Sequence, residues 1–321
     1  MKRIAVLGAT GFIGRNLAMS FADDPDCAVR AVRHRRPAWE HPRVEWIDAD
    51  LTDANDAARA LAGADIVVHA AAATAGAGAN VADPLALVVD NQVMNARVFA
   101  AAHRSGVKHL VWFSCSIMYA SSARAQREAD HDPSVPLHPA YRGAGATKVY
   151  FERMAEWYAG LGTTKFTVLR HSNVYGPFDK FDLGRSHFFG ATITKVLTAR
   201  GGTIDLWGAG TEGRDLIHID DLAAAVRAAI ARQPGPFGLY NIGAGEAIPV
   251  GEVAERIVKA SGRELRVVCD PSKPSIPVTI ALDCGRAREE LGWRPDVTLE
   301  DGIARTLAWW RAFRPTGEAP A

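Results

Sequence analysis

The run Gly8-Ala9-Thr10-Gly11-Phe12-Ile13-Gly14 is the first place in this chain where residue type and spacing could do chemistry. It follows an apolar run at 4–7 and leads into a helix-like stretch at 13–22. Glycines at a strand-to-helix turn let backbone N–H groups approach a pyrophosphate, and the helix N-terminus favours its negative charge. Three glycines alone signal little; placed between a strand and a helix, they predict a dinucleotide site. The second apolar run ends in Arg33-His34-Arg35-Arg36. An acidic residue there would accept from the ribose 2′-hydroxyl of NAD, whereas arginine suits a 2′-phosphate by charge and by its planar donor fork. The expected cofactor is therefore NADP(H), with NAD as the alternative. A solvated basic loop is the plainer reading of the same four residues.

The elements that must position these groups are legible as an alternation. Short strand-like runs at 4–7, 29–32, 44–47, 66–69, 110–114 and 166–170 alternate with helix-like stretches at 13–22, 53–60, 84–105 and 147–160. That order predicts an α/β fold: a doubly wound parallel (Rossmann) sheet covered on both faces, with strands that are almost wholly apolar. Gly and Pro become more frequent from Val174 onward, which predicts a smaller C-terminal substrate-binding lobe. The expected division is a dinucleotide-binding domain at 1–172, with 215–243 returning to it. Segments 173–214 and 244–314 then form the lobe, and 315–321 a disordered tail.

With 321 residues, 48% apolar and 23% charged, the chain has the composition of a soluble globular protein. A net charge of +1 gives no sign of nucleic acid or an anionic membrane surface as partner. Cys27, Cys115, Cys269 and Cys284 are scattered and form no C-x-x-C pair, so no metal site is expected. The first strand-like run starts at once, without a signal-peptide core, and no stretch suits a bilayer; the expected location is cytoplasmic.

The Gly-x-x-Gly-x-x-Gly spacing resembles the short-chain dehydrogenases/reductases, in the extended form that handles nucleotide sugars, and the resemblance covers nearly the whole chain. It implies that Asp50-Leu51 contacts adenine, that Ala70-Ala71 lies beside the cofactor ribose, and that Asn91 fixes active-site backbone. It also implies a catalytic Ser or Thr, Tyr and Lys, with Tyr and Lys one helical turn apart and the phenol exchanging a proton with the substrate oxygen. Lys148 stands in the Lys position, but Ala144 occupies that of the Tyr. Three explanations stay open: a Tyr→Ala change introduced to trap a complex, Tyr141 swinging in to replace the phenol, or a protein that binds without catalysis. The hydroxyl position aligns with Cys115, a weak donor that equally suits a buried apolar slot, and Ser116 is adjacent. Ser116 and Ile117 replace the Asp-Glu pair of the family's dehydratases, so dehydration is not expected.

Downstream, Arg170-His171-Ser172-Asn173-Val174-Tyr175-Gly176-Pro177 and Gly208-Ala209-Gly210-Thr211-Glu212-Gly213-Arg214-Asp215 resemble the family's sugar-nucleotide segments. Asn173 would then contact the sugar diphosphate, and Arg214 and Lys273 would hold its phosphates. Asp220 and Asp221 read more simply as helix caps. The segment from Asn173 through Ser186-His187 is similar to the GDP-fucose synthase branch, where a His matching His187 works with a Cys. Ile117 stands at that Cys position, so His187 keeps a role in proton exchange or is a loop residue. The resemblance thus implies reduction or epimerisation at C-4 of a nucleoside-diphosphate sugar, GDP-linked by preference, and a homodimer built through the helices at 84–105 and 147–160.

Overall fold

The computed structural model describes residues 1–73, 85, 88–184, 186–273 and 275–313. The chain opens with β1 (Lys2–Leu7), α1 (Phe12–Ala22), β2 (Cys27–Arg33), β3 (Val44–Asp48), α2 (Ala54–Leu61) and β4 (Ile66–His69). It continues with α3 (Val89–Arg104), β5 (His109–Cys115), α4 (Arg142–Gly160) and β6 (Lys165–His171). A short strand, β7 (Asn173–Tyr175), precedes α5 (Phe188–Thr198), β8 (Thr203–Trp207), β9 (Gly213–Arg214) and β10 (Leu216–His218). Then α6 (Ile219–Arg232) and β11 (Phe237–Ile242) bring the chain back to the main sheet. The remainder is β12 (Ile248–Pro249), α7 (Val250–Ser261), β13 (Arg266–Asp270), α8 (Gly285–Leu291) and α9 (Leu299–Phe313).

The main sheet has seven strands in the order β11-β6-β5-β4-β1-β2-β3, and every pairing is parallel. The alternation of side chains along each strand explains why both faces are covered. Ile4 and Val6 of β1 join a cluster with Leu17 and Phe21 of α1, Leu222 and Val226 of α6, and Leu291 of α8. Ala5 and Leu7 point the other way, into a cluster with Leu61 of α2, Val98 and Phe99 of α3, and Phe151 and Ala155 of α4. A third cluster joins Tyr175, Ile193, Leu216, Val253, Ile257, Ile303 and Leu307, away from the main sheet. The doubly wound sheet expected from the alternation is present, with β11 as a seventh strand. Strand order reverses on either side of β1, between β2 and β4, which places a crevice at the C-terminal ends of β1 and β4.

Two boundaries differ from the periodicity reading. The helix expected from 147 begins a turn earlier, at Arg142, because a 3-10 turn at Pro139–Tyr141 feeds straight into it. The helix expected from 84 is helical from Val89, and Pro84 lies outside the described residues, as does the tail at 315–321.

Candidate active site

At the crevice, each glycine of the loop has its own steric reason. Gly8 has φ +74°, and a Cβ there would sit 2.6 Å from Ala71 Cα, so the loop lies directly on the segment after β4. A Cβ on Gly14 would overlap the Gly8 carbonyl. Gly11 is the N-cap of α1, and the first intrahelical bond runs from Arg15 N–H to Gly11 O at 2.8 Å. The N–H groups of Phe12, Ile13 and Gly14 therefore precede the first such bond and face the crevice end of the helix. This cradle fits a pyrophosphate. Thr10 sits within the turn, and Trp39 braces it from outside by donating to Ala9 O at 2.9 Å.

Around it lie the other expected cofactor residues. Ala70 N–H bonds Leu7 O at 3.1 Å, holding 70–71 against the loop. Asp50 accepts from the Thr52 amide and hydroxyl, and Leu51 is buried beneath. Asn91 clamps Ala73 from both sides, Oδ1 accepting at 2.9 Å and Nδ2 donating at 3.0 Å. The basic run divides in two. Arg33 donates through Nε and Nη2 to Asp48, its neighbour on β3, so its charge is committed to a sheet-edge ion pair. Arg35 and Arg36 form no ion pair among the described residues, and Arg35 lies within electrostatic reach of Asp50.

The chemical end is built where β5, β6 and α4 meet. Lys148 sits one turn after Ala144 on α4, and its Nζ donates to Phe113 O at 2.6 Å and lies 4.6 Å from the Trp112 ring centre. Burial lowers its pKa, opposed by Cys115 and Glu152. Cys115 ends β5; burial pushes its thiol pKa up, with Lys148 pulling the other way. Ser116 opens the 3-10 turn Ser116–Met118 and is partly exposed. Tyr141 ends the 3-10 turn ahead of α4. Burial raises its pKa, while Arg214 lowers it and Cys115 raises it, so the phenol lies within electrostatic reach of both. His187 is the exposed N-cap residue of α5 and makes no side-chain capping bond; desolvation, then Lys180, lowers its pKa.

His171 was missed from sequence. It stands beside Cys115 in the β5–β6 register, with the Phe113 ring centre 6.2 Å away on the same face. Its Nδ1 lies 2.7 Å from Ser172 O, which places the proton on Nδ1 and leaves Nε2 as an acceptor. Burial pushes its pKa down to about 4, and Lys148 and His187 add to that. Its only sequence signal was its place inside the Arg170–Asn173 run. Glu152 and Ser114 were missed as well; they join Arg170 in a buried network under this end of the cleft.

On the far side, Arg214 donates from Nη2 to Ile276 O at 2.8 Å and from Nη1 to the carbonyls of Gly213 and Val278. These bonds aim the guanidinium without neutralising it: Arg214 has no carboxylate partner within ion-pair distance among the described residues, and burial lowers its pKa. Lys273 is exposed in the turn after β13, three residues before Ile276. Asn173 donates to Asp215 O at 3.0 Å through Nδ2, which leaves its amide oxygen toward solvent. Asp215 is a buried pin, accepting from the amides of Ala244, Gly245 and Leu282.

A parallel sheet with a glycine turn at its switch point, and a half-buried lysine on the helix beside β5, define a dinucleotide-binding α/β protein of the short-chain dehydrogenase type. The chain belongs to the NAD dependent epimerase/dehydratase family, whose model matches residues 4–243. It is 29% identical over 308 residues to a GDP-L-fucose synthase of Sinorhizobium fredii, spanning 95% of this chain and 94% of that one. It is also 26% identical to a dTDP-4-dehydro-6-deoxy-D-allose reductase of a Streptomyces species, over 98% of this chain and 97% of that one. Among solved structures it is similar to a dTDP-glucose 4,6-dehydratase from Streptomyces venezuelae with NAD bound, at TM-score 0.81 and 26% identity, covering 99% and 100% of the two chains. The chain is thus a member of a family of nicotinamide-dependent enzymes acting on nucleotide sugars. No helix among the described residues is long and apolar enough to cross a membrane.

Proposed function

We propose that this protein is an NADP(H)-dependent oxidoreductase acting at C-4 of a nucleoside-diphosphate sugar, with a GDP-linked 4-keto sugar as the favoured substrate. The observation that carries this reading is Arg214: a half-buried guanidinium with no acid partner among the described residues, held by backbone carbonyls on the side of the cleft that Tyr141 faces. A half-buried cation left unneutralised suits an anion, and its planar fork suits a diphosphate. A nicotinamide dinucleotide whose pyrophosphate lies in the glycine cradle would supply or take the hydride. The chain's own residues do the rest. Arg214 and Lys273 grip the diphosphate and set the sugar's reach into the cleft. Lys148 binds the cofactor ribose. Tyr141, protonated at neutral pH because burial raises its pKa, donates a proton to the sugar oxygen. Cys115, Ser116 and His187 line the remaining wall.

Ala144 favours a second reading, in which the protein binds the nucleotide sugar without turning it over. A 4-epimerase with tightly held cofactor is the same-class alternative. One assay separates the three. Mixed with a GDP-4-keto-6-deoxy sugar, the enzyme should consume NADPH, seen as loss of nicotinamide absorbance. Interconversion without net absorbance change would indicate the epimerase, and neither change would leave the binding protein.

The same instrument tests cofactor choice. NADP(H) should bind more tightly than NAD(H), and Arg35→Asp should erase or reverse the preference, a change of about 10- to 100-fold if one charged hydrogen bond to the 2′-phosphate is lost. Arg33→Asp is the weaker test, since Arg33 already serves Asp48. Equal or tighter binding of NAD(H) to the unaltered protein would sink the preference.

The reading includes a homodimer. Val89 and Val93 on α3, with Tyr150 and Trp157 on α4 and Leu161 just beyond it, are exposed on neighbouring helices, each aromatic at 56%. An apolar stripe of that kind across two packed helices suits a two-fold helical interface. Light scattering at micromolar concentration should give twice the chain mass, and Tyr150→Glu with Trp157→Glu should return it to one. A monomeric mass for the unaltered chain counts against the dimer.

A further inference from the structure

His171 closes β6 at the C-terminal edge of the main sheet, beside Cys115, which closes β5 in the same register. One end of its ring is fixed. Nδ1 lies 2.7 Å from Ser172 O, and a carbonyl can only accept, so the proton sits on Nδ1. Ser172 is pinned in turn, its N–H donating to Ile242 O on β11 at 2.9 Å. The other end of the ring is open. Nε2 has no hydrogen-bond partner among the described residues, yet the residue is partly exposed and this nitrogen reaches solvent. His69 and His218 show the contrasting case, each buried with one ring nitrogen sealed and unpaired. Lys148 on α4 and His187 at the start of α5 both lie within electrostatic reach of the His171 ring. Burial pushes its pKa down to about 4, against the Ser172 bond and with those two groups adding to the fall. At neutral pH Nε2 is therefore a bare lone pair at the edge of the crevice.

We propose that His171 is a fixed hydrogen-bond acceptor at the hydride-transfer centre, receiving one ligand N–H or O–H through Nε2. This rests on the functional reading given above, in which Lys148 binds the cofactor ribose and Tyr141 meets the sugar oxygen. A neutral imidazole whose proton is committed on Nδ1 cannot donate from Nε2. It opposes lone pair to lone pair against a ketone oxygen, which is left to Tyr141, and takes a donor group instead. Two donors belong to the bound pair: the carboxamide N–H of the nicotinamide ring, and a hydroxyl of the sugar next to the carbon that exchanges hydride. Both share one chemistry, a single donor facing a single acceptor. The Ser172 carbonyl sets the direction of that acceptor, so it selects how the donor's ring is presented when hydride moves.

Two pairs of probes test this by titration of the intact protein. The first pair is NADPH and its acetylpyridine analogue, in which an acetyl group keeps the carbonyl and lacks the N–H donors. The second is GDP-mannose and GDP, which differ by the hexose. The unaltered chain is compared with His171→Leu, which keeps the bulk without an acceptor, and with His171→Gln, whose amide oxygen can replace Nε2. In the Leu variant affinity for the ligand that His171 receives should fall about 5- to 100-fold, the cost of stranding a donor. The Gln variant should recover most of it. A fall for NADPH that is absent with the analogue assigns the carboxamide. A fall for GDP-mannose that is absent with GDP assigns a sugar hydroxyl. A merely structural role would not sort ligands by one missing donor. Unchanged affinity for both NADPH and GDP-mannose, or an equal loss within each pair, overturns the proposal. The unaltered chain gives a reading that needs no variant to fold: equal affinity within both pairs overturns it too. If the unaltered chain binds both NADPH and GDP-mannose and the Leu variant does so equally well, only the role of His171 falls. If the unaltered chain binds neither, the functional reading falls, and this role with it.

Discussion

Tyr141→Phe is expected to lower turnover about 100- to 10,000-fold while leaving sugar-nucleotide affinity nearly unchanged, the usual consequence of removing a positioned acid/base. The phenol lies within electrostatic reach of Arg214 on one side and Cys115 on the other, and its raised pKa keeps it in the proton-donating form. The glycine cradle, Lys148 and Arg214 hold their geometry through backbone carbonyls and steric fit, not through the phenol. Binding should therefore survive the loss. Rapid-mixing and steady-state rates on a turned-over 4-keto sugar give the kcat effect, and a titration gives the affinity. The companion variant is Ala144→Tyr. If Tyr141 already donates the proton, a second phenol one turn before Lys148 should change the rate by less than tenfold. A gain of 100-fold or more there, with Tyr141→Phe harmless, would move the role to position 144 and mark Ala144 as the replacement of a working tyrosine. If neither change matters on a proven substrate, Ser116 or His171 becomes the proton path.

How much of this was legible in the sequence depends on how local each feature is. The glycine loop could be read because all of its parts lie within seven residues and between two periodic segments. The seven-strand sheet was largely readable for the same reason, since each buried strand is a short apolar run. Arg33 shows the opposite case. Its place in a basic run is local, but its pairing with Asp48 comes from the β2–β3 register, and only the fold reveals that. His171 sat inside a quoted signature as an unassigned position, and its meaning comes from lying beside Cys115 on the adjacent strand. Tyr141 could be suspected from its closeness to Ala144. Its reach to Arg214 depends on how the 276–278 segment orients that guanidinium, which no spacing rule encodes.

Glu152→Leu is expected to destabilise the protein by about 3–5 kcal/mol, the cost typical of leaving one half of a buried ion pair uncompensated. Glu152 and Arg170 are each 5% exposed, and two bonds join them: Nε to Oε1 at 2.9 Å and Nη2 to Oε2 at 2.7 Å. Ser114 donates to the same carboxylate at 2.6 Å, so the pair ties α4 to both β5 and β6. The remaining Arg170 nitrogen donates to Tyr119 Oη at 2.7 Å and to Glu128 O at 3.0 Å, and Tyr119 in turn donates to Asn241 on β11. Removing the carboxylate strands a cation in this network and frees the Ser114 hydroxyl. Removing both charges is a different matter. Glu152→Leu with Arg170→Met replaces the pair by apolar volume, and much of the lost stability should return. Urea unfolding, followed by two optical probes to check that the transition is two-state, measures each variant. The single variant has a functional readout as well. Glu152 is one turn from Lys148 on α4 and supports its charge, so its loss should lower the Lys148 pKa further and shift the alkaline limb of the pH–rate profile downward. A Glu152→Leu protein within about 1 kcal/mol of the parent would show that the pair is no more than neutral in the fold.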